Sequence, residues 1–289
     1  MATPVAAKRD HPTDSLDGKL KASTQEADGD IHTNETSTSS LTGHRMINIL
    51  IREFAPKQTV ADQNALEQFQ KQWSTYQKLV DADALSHIAA GKLLHDALCA
   101  IPTTFAIVDI ACGDASQMRE VLLGTRCRHY QGIDLSAPAL ELAAKNLASA
   151  PYEVELDHED FVEALTKRPE PADAAWCSLS IHHLPTEQKH RLFESIRRST
   201  ACFCTIYEPT LQPDETRDEY LERFRRVNRP AWSFLTPEEW AQIDQHVTTC
   251  DLPETAKTWL TLGREAGFAN VTQLFLDPTG FYGLYRYDV

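Results

Sequence analysis

Five short apolar runs, 105–111, 129–134, 152–156, 173–179 and 201–207, alternate along the chain with segments of helical pattern. Strands that alternate with helices pair in parallel, because each crossover helix carries the chain back to the starting edge and covers a sheet face. The crossover segments begin as helices should. Ser136 is followed by Pro138, and Thr186 by Glu187, which are cap and first-turn residues. After the fifth run comes a charged, helix-like insertion, 210–254. In its "LTPEEW" segment Thr236 and Glu239 have capping-box spacing and Pro237 takes the first helical position. The chain ends with "AKTWLTLGREAGF", a helix stopped at Gly267, and then "NVTQLFLD" and "FYGLYRYD" joined across "PTG" as a hairpin. The expected fold is α/β: a Rossmann-like, seven-stranded, mostly parallel sheet with an antiparallel last strand.

Ahead of this domain, 105–289, the pattern from Arg45 to Ile101 is helical. Leu66, Phe69, Trp73, Tyr76 and Val80 recur at three- and four-residue steps and make one stripe. A helical cap over 45–104 is therefore expected, packed on the main domain and able to close over its ligand. Residues 1–44 hold no Phe, Trp or Tyr and are rich in Thr, Ser, Asp and Ala. They cannot bury enough apolar area to offset the entropy of ordering, so a disordered tail is expected.

Charge excludes one class of partner. A net charge of -14 argues against a nucleic-acid surface, which needs clustered Lys and Arg. The sequence shows no uninterrupted apolar stretch of membrane-spanning length and lacks the charged and apolar regions of a signal peptide at its N-terminus, so neither a span nor a leader is expected. Seven cysteines without a CxxC pair fit reduced thiols, so a cytoplasmic protein with no membrane and no nucleic-acid partner is expected. Oligomeric state leaves no mark in the sequence.

The first run, "FAIVDIACGDAS", sets a carboxylate, Asp109, inside a buried strand and then stops at a turn without bulk. In an open parallel sheet the first strand feeds the ligand crevice at the carboxyl ends of the strands. Ala111, Gly113 and Ala115 remove side-chain volume at alternate positions, so a nucleotide-like group can approach the backbone and the free N–H groups of the next helix. A second acid, Asp134, closes the next strand in "YQGIDLS". A carboxylate there is acceptor-only and can take both hydroxyls of a ribose.

Here the sequence resembles the class I S-adenosylmethionine-dependent methyltransferases, whose first motif runs acid-x-Gly-x-Gly-x-Gly. This chain reads Asp109, Ala111, Gly113, Ala115, with alanine at two glycine positions. The resemblance continues with Asp134, with Asp160 and Phe161 in "HEDF", with "ADAAWCSLSIHHLP" through His183, and with "EAGF" before the hairpin. It implies S-adenosyl-L-methionine as cofactor, with Asp109 near its ammonium and the backbone at Ala111 and Gly113 against its methionine moiety. It further implies Asp134 and the neighbouring Leu135 at the ribose, Asp160 and Phe161 at the adenine, and Ser178 at the methionine end. The implied activity is in-line transfer of a methyl group to a small-molecule acceptor.

Because the cofactor already carries its leaving group, orienting the acceptor supplies much of the catalysis and a base is optional. His183, titrating near neutrality on a crevice loop, is the candidate proton acceptor. Glu208, before Pro209 at the end of the fifth strand, stands either where an acceptor is held or as an exposed turn acid. Adjacent histidines should diverge and no second carboxylate is apparent beside His182, His183 and Glu208, so no metal site is expected. Arg223, Arg225, Arg226 and Arg229 read mainly as a solvated helix with Glu219–Arg223 and Glu222–Arg226 pairs. The insertion, with Trp232, Phe234 and Trp240, reads as a lid, and Tyr76 and Trp232 as acceptor-lining residues. Two alternatives stand beside the enzyme: a non-catalytic binding module, marked by loss of the ribose acid or a blocked first turn, and a nicotinamide-dependent oxidoreductase, which predicts G-x-G-x-x-G and no terminal hairpin.

Overall fold

The apolar runs pair as their alternation requires. A computed structural model describes residues 49–53, as backbone, and 73–289, within the unit Arg45–Val289. The five runs become β2 (Phe105–Ile110), β3 (Cys127–Asp134), β4 (Glu153–His158), β5 (Ala172–Ser178) and β6 (Thr200–Leu211). The terminal hairpin is β8 (Asn270–Leu276) and β9 (Tyr282–Asp288). These seven strands lie in the order β4-β3-β2-β5-β6-β9-β8, and β9 alone runs antiparallel to its neighbours. The expected sheet is present, with a two-residue strand, β7 (Glu254–Thr255), pairing β6 and a further strand on the far edge.

That further strand is β1 (Ile49–Glu53), which pairs parallel with β4 from Ile49↔Val154 to Glu53↔His158. It lies where a helical pattern was expected. Its sequence, ILIRE, opens with apolar residues of which two are β-branched, and the unpaired edge of β4 supplies the backbone partners that an isolated segment lacks. The rest of the expected cap is helical where it is described: α1 over 73–81 and α2 (His87–Cys99). Of the apolar stripe, Trp73, Tyr76 and Val80 lie on α1, whereas Leu66 and Phe69 fall outside the described residues. The expected tail, 1–44, also falls outside them.

β2 is buried along its whole length, as a central strand covered on both faces must be. On one face Leu94 and Leu98 of α2 pack with Phe105, Tyr130 and Tyr207. On the other, Phe193 of α6 (Thr186–Ser199) and Trp259 of α9 (Ala256–Glu265) pack with Val108, Cys204 and Tyr287. Strand order reverses on either side of β2, so the loops after β2, β3 and β5 open into one crevice.

The insertion folds as α7 (Arg217–Ala231) and α8 (Pro237–Cys250), each opened by a capping box, Thr216 with Glu219 and Thr236 with Glu239. Glu219 is thus committed to the cap. Arg223, expected on a solvated face, is buried instead. Its guanidinium holds both oxygens of Glu215 at 2.6 and 2.7 Å, donates to the carbonyls of Gly280 and Thr210, and lies 3.9 Å from the centroid of the Phe281 ring. The planar fork suits a bidentate carboxylate and an aromatic face at once. Phe224, Trp232 and Trp240 form the insertion's own aromatic cluster, and Lys78 of α1 meets Glu239 of α8 at 2.6 Å.

Candidate active site

The crevice is a cavity of 670 Å³ bounded by the turn after β2, the ends of β3 and β5, α1, and the insertion. This is the size of a small-molecule site. Of the sequence-predicted site residues, Asp109, Ala111, Gly113, Asp134, Leu135, Asp160, Phe161, Ser178, His183, Tyr76 and Trp232 all line it.

The turn after β2 is built on left-handed backbone. Ala111, Gly113 and Ala115 have φ of 57°, 55° and 54°. The two alanines thus take the conformation that glycine adopts freely, at a cost that the surrounding structure must bear. Gly113 has a second reason to be glycine, since a Cβ there would meet the Trp73 ring at 3.2 Å. Its N–H donates to Asp134 Oδ2 at 2.9 Å and the Ser136 N–H to Oδ1 at 2.8 Å. Each carboxylate oxygen therefore accepts one backbone bond, and each retains a second lone pair. Asp160 caps α5 (Phe161–Lys167) through Oδ1, which accepts from the N–H groups of Val162 and Glu163.

Asp109 is 3% exposed and accepts from the Tyr130 hydroxyl at 2.6 Å. Burial pushes its pKa up to about 7; the Tyr130 bond opposes the shift and the Asp134 charge adds to it. The apolar strand thus carries a carboxyl that takes or gives a proton near neutrality.

The other end of the cavity is made by the loop after β5. Glu208 does not line the cavity: it is fully buried on β6, neither holding an acceptor nor exposed at a turn. It accepts from the N–H groups of Ser180, Ile181 and His182 at 3.0, 2.8 and 3.3 Å and pairs with His182 Nδ1 at 2.7 Å. Glu208 is therefore the organiser of this loop, because an isolated buried carboxylate must find such partners. His182 is bound on both sides, with Nε2 lying 3.5 Å from Asp251 Oδ1. Burial alone would lower its pKa, but Glu208 and Asp251 outweigh burial and raise it to about 9. His183, whose side chain is 36% exposed, has Nδ1 3.7 Å from the same Asp251 oxygen. Burial and then the charge on His182 lower its pKa to about 4.

The two histidines do not diverge. The 3₁₀ turn Ile181–His183 sets their rings side by side, with centroids 4.0 Å apart. The second carboxylate, Asp251, comes from the end of the insertion, and His246 of α8 brings Nε2 to 3.9 Å from it. Sequence reading missed Asp251 and His246 because nothing in "HVTTCDLPE" carries a spacing that links it to a loop some 70 residues earlier. It missed His87 too, a buried α2 residue on the cavity wall whose Nε2 has no hydrogen-bond partner. Among the described residues, no Lys or Arg lines the cavity.

Residues 107–202 match the family model described as a methyltransferase domain. Among solved structures, a candidate exported protein of Bordetella parapertussis is 16% identical with a TM-score of 0.50, the match covering 68% of this chain and 66% of that one. A candidate O-methyltransferase of Nostoc punctiforme PCC 73102 is 14% identical with a TM-score of 0.50, over 69% of this chain and 55% of that one. At this identity the likeness concerns the fold, and the chain spans about two thirds and about half of the length of these two proteins. No curated protein matches it in sequence. Among the described residues, no helix is long and apolar enough to cross a membrane.

Proposed function

We propose that the chain, whose residues 107–202 match a methyltransferase-domain model, transfers a methyl group from S-adenosylmethionine to a small-molecule acceptor held between the β2 turn and the histidine corner. One observation carries this reading: a single 670 Å³ cavity runs from Asp109, Gly113 and Asp134 to His183, so cofactor and acceptor face each other across it.

The residues present fit the cofactor. The small residues of the positive-φ turn put backbone on the cavity wall, the Asp134 carboxylate keeps lone pairs for two hydroxyls, and Ser178, on the same wall, has a buried hydroxyl without a hydrogen-bond partner. When bound, S-adenosylmethionine supplies an electrophilic methyl whose C–S bond breaks with the electron pair leaving on sulfur. The protein's task is alignment and exclusion of water. Tyr76, Trp232 and Val247 wall the cavity, and the Lys78–Glu239 pair joins α1 to the insertion across it. His183, neutral at pH 7 and partly exposed, meets the proton-bearing atom of the acceptor.

The reading extends to organisation: residues 105–289 act as the transferase domain, with the α1–α2 segment and the 210–254 insertion as its cover. Against a non-catalytic module stands the ribose acid, since Asp134 is retained on the cavity wall. The terminal β8–β9 hairpin is foreign to the oxidoreductase alternative.

Isothermal titration with S-adenosylmethionine and, separately, NADH tests the reading, repeated with Asp134→Ala. S-adenosylmethionine binding that falls at least tenfold in the variant supports it, and a panel of small-molecule metabolites then identifies the acceptor. No binding of S-adenosylmethionine, or equal binding by the variant, overturns it.

A further inference from the structure

We infer that the histidine corner is a binding site for a divalent transition-metal ion, held by His182 Nε2, His183 Nδ1 and Asp251 Oδ1 with its open side toward the acceptor. These three side chains can present ligand atoms that lie within 4.8 Å of one another. Two nitrogens stand 3.5 and 3.7 Å from a single carboxylate oxygen, and His246 Nε2 stands 3.9 Å from it on the rim. Such distances are long for hydrogen bonds. They are close to the ~3.3 Å edge of a tetrahedron whose metal–nitrogen bonds measure about 2.0–2.1 Å.

Three further observations point to an ion. First, Asp251 Oδ1 is buried and makes only long charge contacts, the nearest 3.5 Å to His182 and 3.7 Å to His183, with no well-formed hydrogen bond, a shortfall that an ion would make good. Second, His182 gives its other nitrogen to buried Glu208 at 2.7 Å. A carboxylate on the far side of a ligating imidazole fixes its tautomer and orientation, the usual support of a metal-bound histidine. Third, the corner is held together by hydrogen bonds of its own. The Leu252 N–H donates to the His182 carbonyl at 2.8 Å, Arg217 Nε to the Asp251 carbonyl at 2.8 Å, and Lys189 Nζ to the Leu252 carbonyl at 2.5 Å. The first bond ties the end of the insertion to the loop after β5, backbone to backbone, and the other two anchor that end to α7 and α6, so the two halves of the site are held in register.

The donor set names the ion's class. Two imidazoles and one carboxylate suit zinc, iron(II), cobalt(II) or nickel(II). An all-oxygen site would suit magnesium or calcium, and sulfur ligands would suit copper(I). The inference rests on the proposed methyl transfer and specifies how the corner works. An acceptor hydroxyl on the open side of the ion becomes more acidic and releases its proton to solvent, so its oxygen attacks the methyl carbon as an alkoxide-like nucleophile. His183 then acts as a ligand rather than as a free base.

The test uses the full chain stripped with chelator and titrated with zinc by calorimetry and with cobalt(II) by visible absorption. One ion per chain is expected, with the intense d–d absorption of a low-coordinate cobalt site. His182→Ala, His183→Ala and Asp251→Asn should each weaken binding at least tenfold, and His246→Ala less. Asp251→Asn preserves shape, and unchanged circular dichroism identifies variants that still fold. Absence of binding, or binding that these variants leave unchanged, overturns the inference. S-adenosylmethionine titration of the same metal-free samples separates the two readings: cofactor binding without metal binding removes the ion alone, and metal binding without cofactor binding removes the transferase.

Discussion

Asp109 is the residue whose environment makes the sharpest thermodynamic prediction. Its pKa in the folded protein is about 7 against 3.8 for the free side chain, chiefly because it is buried. The folded state therefore holds a proton that the unfolded chain has lost between about pH 4 and pH 7, so stability falls as pH rises through that window. At 1.36 kcal/mol per pH unit, the whole effect is about 4 kcal/mol, of which about 2.5 kcal/mol falls between pH 5 and pH 8. Asp109→Asn keeps an oxygen for the Tyr130 hydroxyl and removes the titration. Stability of wild type and variant, measured by urea unfolding at constant m-value from pH 5 to pH 8, should diverge. Relative to the variant, the wild type should lose about 2.5 kcal/mol over that range. Curves that stay parallel within about 0.5 kcal/mol would refute the argument, because Asp109 would then ionise freely despite its burial. The proposed function adds a second expectation: a cofactor ammonium beside Asp109 lowers its pKa, so S-adenosylmethionine binding near pH 6 should release protons, seen as a binding heat that depends on the buffer's ionisation enthalpy.

Three other outcomes follow from the site and its supports. Gly113→Ala should cost about 1 kcal/mol or more in stability and weaken S-adenosylmethionine binding in calorimetry, since a positive φ and the Trp73 ring at 3.2 Å both resist a Cβ. Arg223→Ala should cost more than about 1 kcal/mol in thermal or urea unfolding, because it leaves half-buried Glu215 without its partner and removes packing on Phe281. His183→Ala should lower turnover by about 100-fold or more, with the dissociation constant for S-adenosylmethionine held within about threefold, measured once an acceptor is found.

What the sequence made legible was what local pattern encodes. The five runs, the cap at Ser136, the capping box at Thr236 and the terminal hairpin all depend on neighbours within a few residues, and all appear where expected. The β2 turn was legible for the same reason, as alternate small residues are a local signature of close approach. β1 was not, because ILIRE becomes a strand through the edge of β4, about 100 residues away, and its own neighbours read as helix. Arg223 was misread likewise: helical spacing offered Glu219 as a partner, but Glu219 caps the helix and a half-buried Glu215 offered both oxygens.

The histidine corner shows the limit more sharply. "SIHHLP" drew attention to His183, yet the chemistry of an imidazole is set by what meets its two nitrogens, and those partners come from β6 and from the end of the insertion. Once Glu208 is known to sit behind His182, it changes from an acceptor-holding group to the residue that orders the loop. With Asp251 in front, the insertion does more than cover the cavity, because it brings a carboxylate to the histidine end of the wall. Two consequences distinguish this from a passive cover. Replacing Asp251 should alter chemistry at the corner while leaving the β2 turn and its ligand affinity intact. Replacing Trp232, which packs with Phe224 and Trp240, should instead loosen the insertion as a whole. The two positions stand on the same insertion, so a common effect on both would mean that the insertion only closes the cavity, and separate effects that it also completes the site.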